Sequence, residues 1–168
     1  MGILIVVFVF PIFCWVLLWT KFDHLKQDWA ILRFGSTYAS LRTDSKQALL
    51  YNIFYMLRRL LIAIIATFIK SHPYAQVQII VFHCILMILY ILAVKPFDLP
   101  LLNYTEIFNE CCIISAAYHL FAFTDFLDDP HTQYEVGWSL IGVTLFNLSV
   151  NMLIMMWGTY HKLRRIYY

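Results

Sequence analysis

Residues 74–94 read YAQVQIIVFHCILMILYILAV, an unbroken apolar run with no Asp, Glu, Lys or Arg, closed by Lys95-Pro96-Phe97-Asp98. A bilayer's hydrocarbon core needs roughly 20 mainly apolar residues in a helix that crosses it. Backbone hydrogen bonds can be satisfied in lipid only by helices or closed barrels, and this run is continuous rather than short and alternating, so it selects a helix.

Working outward, four more runs of the same kind frame it. Gly2 to Thr20 is interrupted only by Pro11. Ala48 to Ile69 is apolar apart from Asn52 and the pair Arg58-Arg59, and it stops at Lys70-Ser71-His72-Pro73. Thr105 to Phe126 ends in an acidic joint, and Val136 to Tyr160 leads into a basic tail. The whole chain is 62% hydrophobic and 13% charged, too little polar surface to coat a soluble core of this size. The expected architecture is therefore all-α: an integral membrane bundle of about five transmembrane helices, one domain over residues 1–168. The spans are expected at about 2–20, 48–69, 74–94, 105–126 and 136–160. The first run has no basic region before it and no clear small-residue cleavage site, so it reads as a retained span rather than a signal peptide. Met1-Gly2 does not open a myristoylation motif, because position 6 is Val6.

Five spans put 21–47, 95–104 and the C-terminal tail on one side. That side holds nine basic residues (Lys21, Lys26, Arg33, Arg42, Lys46, Lys95, Lys162, Arg164, Arg165) against Lys70 alone on the other. The positive-inside rule then places the N-terminus out and the C-terminus in. The sequons at Asn103 and Asn147 fall inside and within a span, where no glycan is expected. Cys14, Cys84, Cys111 and Cys112 all fall in spans and read as reduced, packed thiols. Segment 21–47 mixes Phe22, Trp29, Phe34 and Tyr38 with charges of both signs, and reads equally as an interfacial segment or an ordinary inner loop.

Ionisable groups inside a membrane cost several kcal/mol unless paired or solvated, which makes them the first functional candidates. Arg58 and Arg59 lie about 18 Å along their helix from Lys46. Glu106 and Glu110, one turn apart near the inner end of the fourth span, are the carboxylates placed to pair with them; the alternative is that Ala48 to Leu57 lies along the interface and the arginines anchor a helix end. Asn147 and Asn151 share a face of the fifth helix, with Ser149 nearby and Gly142 allowing close approach. They read as hydrogen-bonding glue between helices or as the lining of an ion path. The acidic outer joint carries Asp125, Asp128, Asp129 and Glu135. His83 and His119 stand roughly 18 to 20 Å up their helices; facing histidines at one depth can hold a haem, with a metal site using neighbouring cysteines as the variant. The reading adopted is packed core histidines, with no cofactor and no metal.

No glycine-rich phosphate loop, nucleophile elbow or His-Glu-x-x-His motif occurs, so no enzyme is expected. The basic tail suits lipid headgroups rather than nucleic acid.

Several strings together resemble the membrane region of transient-receptor-potential-like proteins of fungi and ciliates: Phe34-Gly35-Ser36-Thr37-Tyr38, Tyr55-Met56-Leu57-Arg58-Arg59-Leu60-Leu61, Lys95-Pro96-Phe97 with Asn103, Glu106, Asn109 and Glu110, and Tyr118-His119-Leu120-Phe121 leading to Phe123-Thr124-Asp125-Phe126. The resemblance covers about Phe34 to Asn151. It implies a helical module related to ion channels, with Arg58, Arg59, Glu106 and Glu110 in a shared network on the intracellular side. Members usually carry a long extracellular portion before the helices, so the chain looks like a C-terminal piece or a reduced relative. The outer joint between the fourth and fifth spans is too short for a re-entrant pore helix and filter, so a pore would come from oligomerisation or from other subunits. Two functions stand: a channel-like module for cation transport as part of a homo-oligomer, in a plasma or ciliary membrane; or a structural anchor or accessory subunit of a larger membrane complex, such as one of the mitochondrial inner membrane. The abundance of aromatics (Phe 14, Tyr 11, Trp 5) suits the second reading, because they supply broad packing surface at low entropy cost.

Overall fold

The structure, a computed structural model, describes residues 2–25, 27, 32–70, 72–124 and 129–167. Five long helices account for most of it: α1 (Gly2–Thr20), α2 (Lys46–Phe68), α3 (Pro73–Val94), α4 (Pro100–Phe121) and α5 (Pro130–Tyr167). Among the described residues there is no strand, only an isolated antiparallel bridge between Leu41 and Phe97.

Prolines set three of the starts. Pro73, Pro100 and Pro130 each open a helix, where the missing N–H costs nothing and the fixed φ is already helical. The starts of α4 and α5 therefore precede the expected spans by several residues, since Leu101 to Tyr104 and His131 to Glu135 are helical although not uniformly apolar. Helix α3 stops where Lys95 turns left-handed at φ 49° and Pro96 follows, a residue that cannot continue a helix. The open C-terminal carbonyls of α2 are met from α3: the Gln76 side-chain amide donates to the Ile69 oxygen at 3.0 Å.

Helix α3 packs most extensively on α4, and α5 lies along α4, while α1 lies along α2. The central helices bury residues at seven-residue steps, two turns apart on one face. These are Tyr51, Arg58 and Ile65 on α2; Val77, Cys84 and Ile91 on α3; and Asn103, Glu110 and Ala117 on α4. With α3 running opposite to its neighbours, they fall into three layers. Tyr51 and Ile91 belong to one apolar cluster at the end where α2 and α4 start, and Val77 and Ala117 to another at the far end. Arg58, Cys84 and Glu110 lie between.

Most of the core sits at the end where α2 and α4 start. Leu25 and Leu41 are almost fully buried there among Leu18, Leu49, Met87 and Ile91. The described part of segment 21–47 is therefore folded onto the helix ends. The Tyr38 hydroxyl donates to the Leu25 oxygen at 2.9 Å, the Asn52 amide to the Thr37 oxygen at 2.5 Å, and the Arg42 N–H to the Pro96 oxygen at 2.8 Å. Asn103 closes the joint by bonding both backbone groups of Phe97, at 3.2 and 3.1 Å. Burying a leucine away from water contributes roughly 1.5–3 kcal/mol, a gain that lipid-embedded helix faces lack.

Among the described residues, α2, α3 and the Pro130–His161 part of α5 are long and apolar enough to cross a membrane by length and composition. That supports the membrane reading. The described apolar stretch of α1, Val9–Thr20, is shorter, and α4 carries Glu106 and Glu110 and does not reach the same apolarity. Large apolar side chains are exposed on every long helix, Phe13, Ile62, Leu89, Leu120 and Leu153 among them, which is how a lipid-solvated bundle distributes them.

Candidate functional site

Arg58 lies twelve residues into α2 and Glu110 ten residues into α4, which at 1.5 Å per residue puts both roughly 15 to 18 Å from the starts of their helices. The Arg58 Nη1 donates to Glu110 Oε1 in a buried ion pair, and its Nη2 reaches Cys84 Sγ at 3.2 Å. Exposure is 9% for Arg58 and 3% for Glu110. One guanidinium thus ties α2, α3 and α4 together. The first half of α2 buries Ala48, Leu49, Tyr51 and Ile53 and is packed in the bundle. Charges at such a depth persist only when paired, and here the pairing is nearly complete. The exceptions are Glu110 Oε2 and the neighbouring His83 Nδ1, both buried without a hydrogen-bond partner.

Glu106, one turn nearer the start of α4, lies close to the Tyr51 hydroxyl. Arg59 stands apart from this network. It is exposed, its Nη2 donates to the Tyr55 hydroxyl at 2.5 Å, and its guanidinium carbon lies 4.6 Å from the Tyr55 ring centroid. Tyr55 is one turn toward the start of α2, so Arg59 bends back along its own helix toward Lys46.

The opposite face of α4 carries a neutral cluster. Asn109 Oδ1 accepts from the side-chain amides of Asn147 and Asn151, at 2.9 and 2.7 Å, and the Asn151 amide also reaches the Asn147 backbone oxygen at 2.9 Å. Phe108 and Phe146 meet edge to face beside it, 5.8 Å between centroids. Ser149 is not in this cluster: it is exposed and its hydroxyl donates to Leu145 of its own helix. Nor does Gly142 mark a close approach, since nothing lies within 4 Å of where its Cβ would be; Gly137 does, 3.7 Å from the Phe123 ring.

His119 and His83 have separate surroundings. The His119 ring nitrogens are engaged by the Ser115 oxygen at 2.7 Å and the Ser139 hydroxyl at 2.9 Å, which stitches α4 to α5. Among the described residues no group of three or more His, Cys, Asp or Glu side chains is arranged to hold a metal ion. Of the acidic joint, Asp125 and Asp128 lie outside the described residues. Asp129 caps α5, accepting from the His131 N–H at 3.3 Å, the Thr132 N–H at 3.1 Å and the Thr132 hydroxyl at 2.5 Å. These bonds hold its carboxyl below the usual aspartate range. Glu135 faces His131 at 3.7 Å on the exposed side of α5.

Cys84 enters the sequence reading only as a packed thiol or metal-ligand candidate, Asn109 only through the resemblance and Tyr51 not at all, although the seven-residue spacing of Cys84 and Tyr51 from their buried neighbours carries the signal. No family model, curated protein or solved structure matches the chain.

Proposed function

We propose that the chain is a membrane-embedded, channel-like module, related to the transient-receptor-potential-like proteins its strings resemble, that moves cations as part of an oligomer. In this reading α1 to α5 all span, with the N-terminus out and the C-terminus in, in a plasma or ciliary membrane. The Arg58–Glu110 pair carries the reading, because the strings that suggested the family are the ones that make long-range polar contacts. Arg58 and Glu110 meet across α2 and α4, Asn103 braces Phe97, Asn109 gathers α5, and Thr37 receives Asn52. The bundle then serves as a rigid scaffold, its lipid-facing apolar surface open to further subunits. No catalytic, cofactor or nucleic-acid role is assigned to it.

A specific observation favours the second reading, a structural anchor or accessory subunit of a larger complex such as a mitochondrial one. Asn147 and Asn151, the candidates for an ion path, are spent on Asn109 instead. Purification in mild detergent, mass determination of the intact particle and cation flux in liposomes separate the two. A homo-oligomer that conducts cations in liposomes supports the channel module. Co-purification within a hetero-complex, with no flux from the isolated chain, supports the accessory subunit.

A further inference from the structure

A cavity of about 700 Å³ opens where α3 ends and α4 begins, within the range of small-molecule sites. Its polar wall holds Arg42, Lys95 and Asp98, and its apolar wall includes Ile91, Leu92 and Tyr104. The two cations are brought together by backbone rather than by chance: the Leu41–Phe97 bridge sets one strand of chain against the other, the Arg42 N–H bonds the Pro96 oxygen at 2.8 Å, and the Asp98 N–H bonds the Ser40 oxygen at 3.1 Å. Lys95 is held beside them in a left-handed conformation that a non-glycine residue adopts only where the surrounding structure enforces it. Neither side chain enters an ion pair among the described residues. Helix α4 starts at the same cavity with Pro100 and no side-chain cap, adding the positive end of its dipole.

Leu92 and Tyr104, 53% and 70% exposed, carry the apolar wall out to the lipid-facing surface. A ligand entering there brings acyl chains with it. We infer that this cavity binds an anionic phospholipid, its phosphate between Arg42 and Lys95 and its chains along Leu92 and Tyr104. Asp98 tempers the site and keeps it from binding a bare anion tightly. Basic pockets between helices on the cytoplasmic side have this chemistry, and the site is independent of whether the module conducts ions.

The test is native mass spectrometry of the purified, delipidated chain incubated with phosphatidylglycerol or with phosphatidylcholine of the same acyl chains. Wild type is expected to retain phosphatidylglycerol preferentially. Arg42→Gln and Lys95→Asn, the latter tolerant of the left-handed backbone, are expected to lower retention roughly fivefold each. Asp98→Asn is expected to raise it, a gain that a misfolded variant would not show. Lys70→Gln, an exposed cation at the opposite end of the bundle, is expected to leave it unchanged. Equal retention of both lipids, an equal loss in Lys70→Gln, no gain in Asp98→Asn, or displacement of the lipid by millimolar inorganic phosphate would each overturn the assignment.

Discussion

The two faces of α4 hold their neighbours by different means. Toward α2 and α3 it presents Glu110, buried and charged, to Arg58 and Cys84; toward α5 it presents Asn109, half-buried and neutral, to Asn147 and Asn151. A buried charge without its partner is strongly unfavourable, so the first face is all-or-none. An amide in the same membrane loses little more than its bonds, because an unpaired amide finds other partners. The central three helices are thus locked to one another, whereas α5, whose apolar stretch holds no fully buried residue, is held by neutral contacts, the Asn109 seam, the His119–Ser139 bond and a few rings.

The comparison is broken most severely at Arg58. Arg58→Leu is expected to cost about 3–5 kcal/mol by leaving Glu110 charged and alone, measurable as unfolding in mixed micelles. At the end where α2 and α4 start, Asn103→Leu frees both backbone groups of Phe97 and is expected to cost about 1–3 kcal/mol; the same assay reads it. On the other face, Asn109→Leu removes the acceptor shared by two amides and is expected to cost about 1–2 kcal/mol. Its mark is selective: amide exchange speeds up along α5 while α2 and α3 keep their protection. Smallest is Asp129→Asn, which weakens the cap of α5 and is expected to speed exchange at the Thr132 amide alone. The pH dependence has a definite sign. The Asp129 carboxyl is held below its ordinary value of 3.8, so the cap contributes fully above that pH and is lost as pH falls through the lowered value. Exchange at Thr132 in wild type should then approach that of the variant in acid.

The helices were legible because apolar runs of about twenty residues admit one structure in lipid. Their starts were less so, since Pro100 and Pro130 read as punctuation between spans when they are the first turns of α4 and α5. The pairing of Arg58 with Glu110 followed from there being so few carboxylates at reachable depth. That Arg59 would turn to Tyr55 was hidden, because adjacent residues on a helix face about 100° apart and only packing decides which of two arginines is buried. The packing at the end where α2 and α4 start was hidden as well. Its bonds, Tyr38 to Leu25, Asn52 to Thr37 and Asn103 to Phe97, run to backbone groups, which leave no trace in residue type.

The most direct test of the central claim, that one buried ion pair fixes the three core helices, is a double-mutant cycle on Arg58→Leu and Glu110→Leu in mixed micelles. Each single change is expected to cost about 3–5 kcal/mol and the double variant to return close to wild type, since two apolar side chains replace two charges that needed each other. Costs that simply add would show that the pair is not coupled and that the lock between α2 and α4 lies elsewhere.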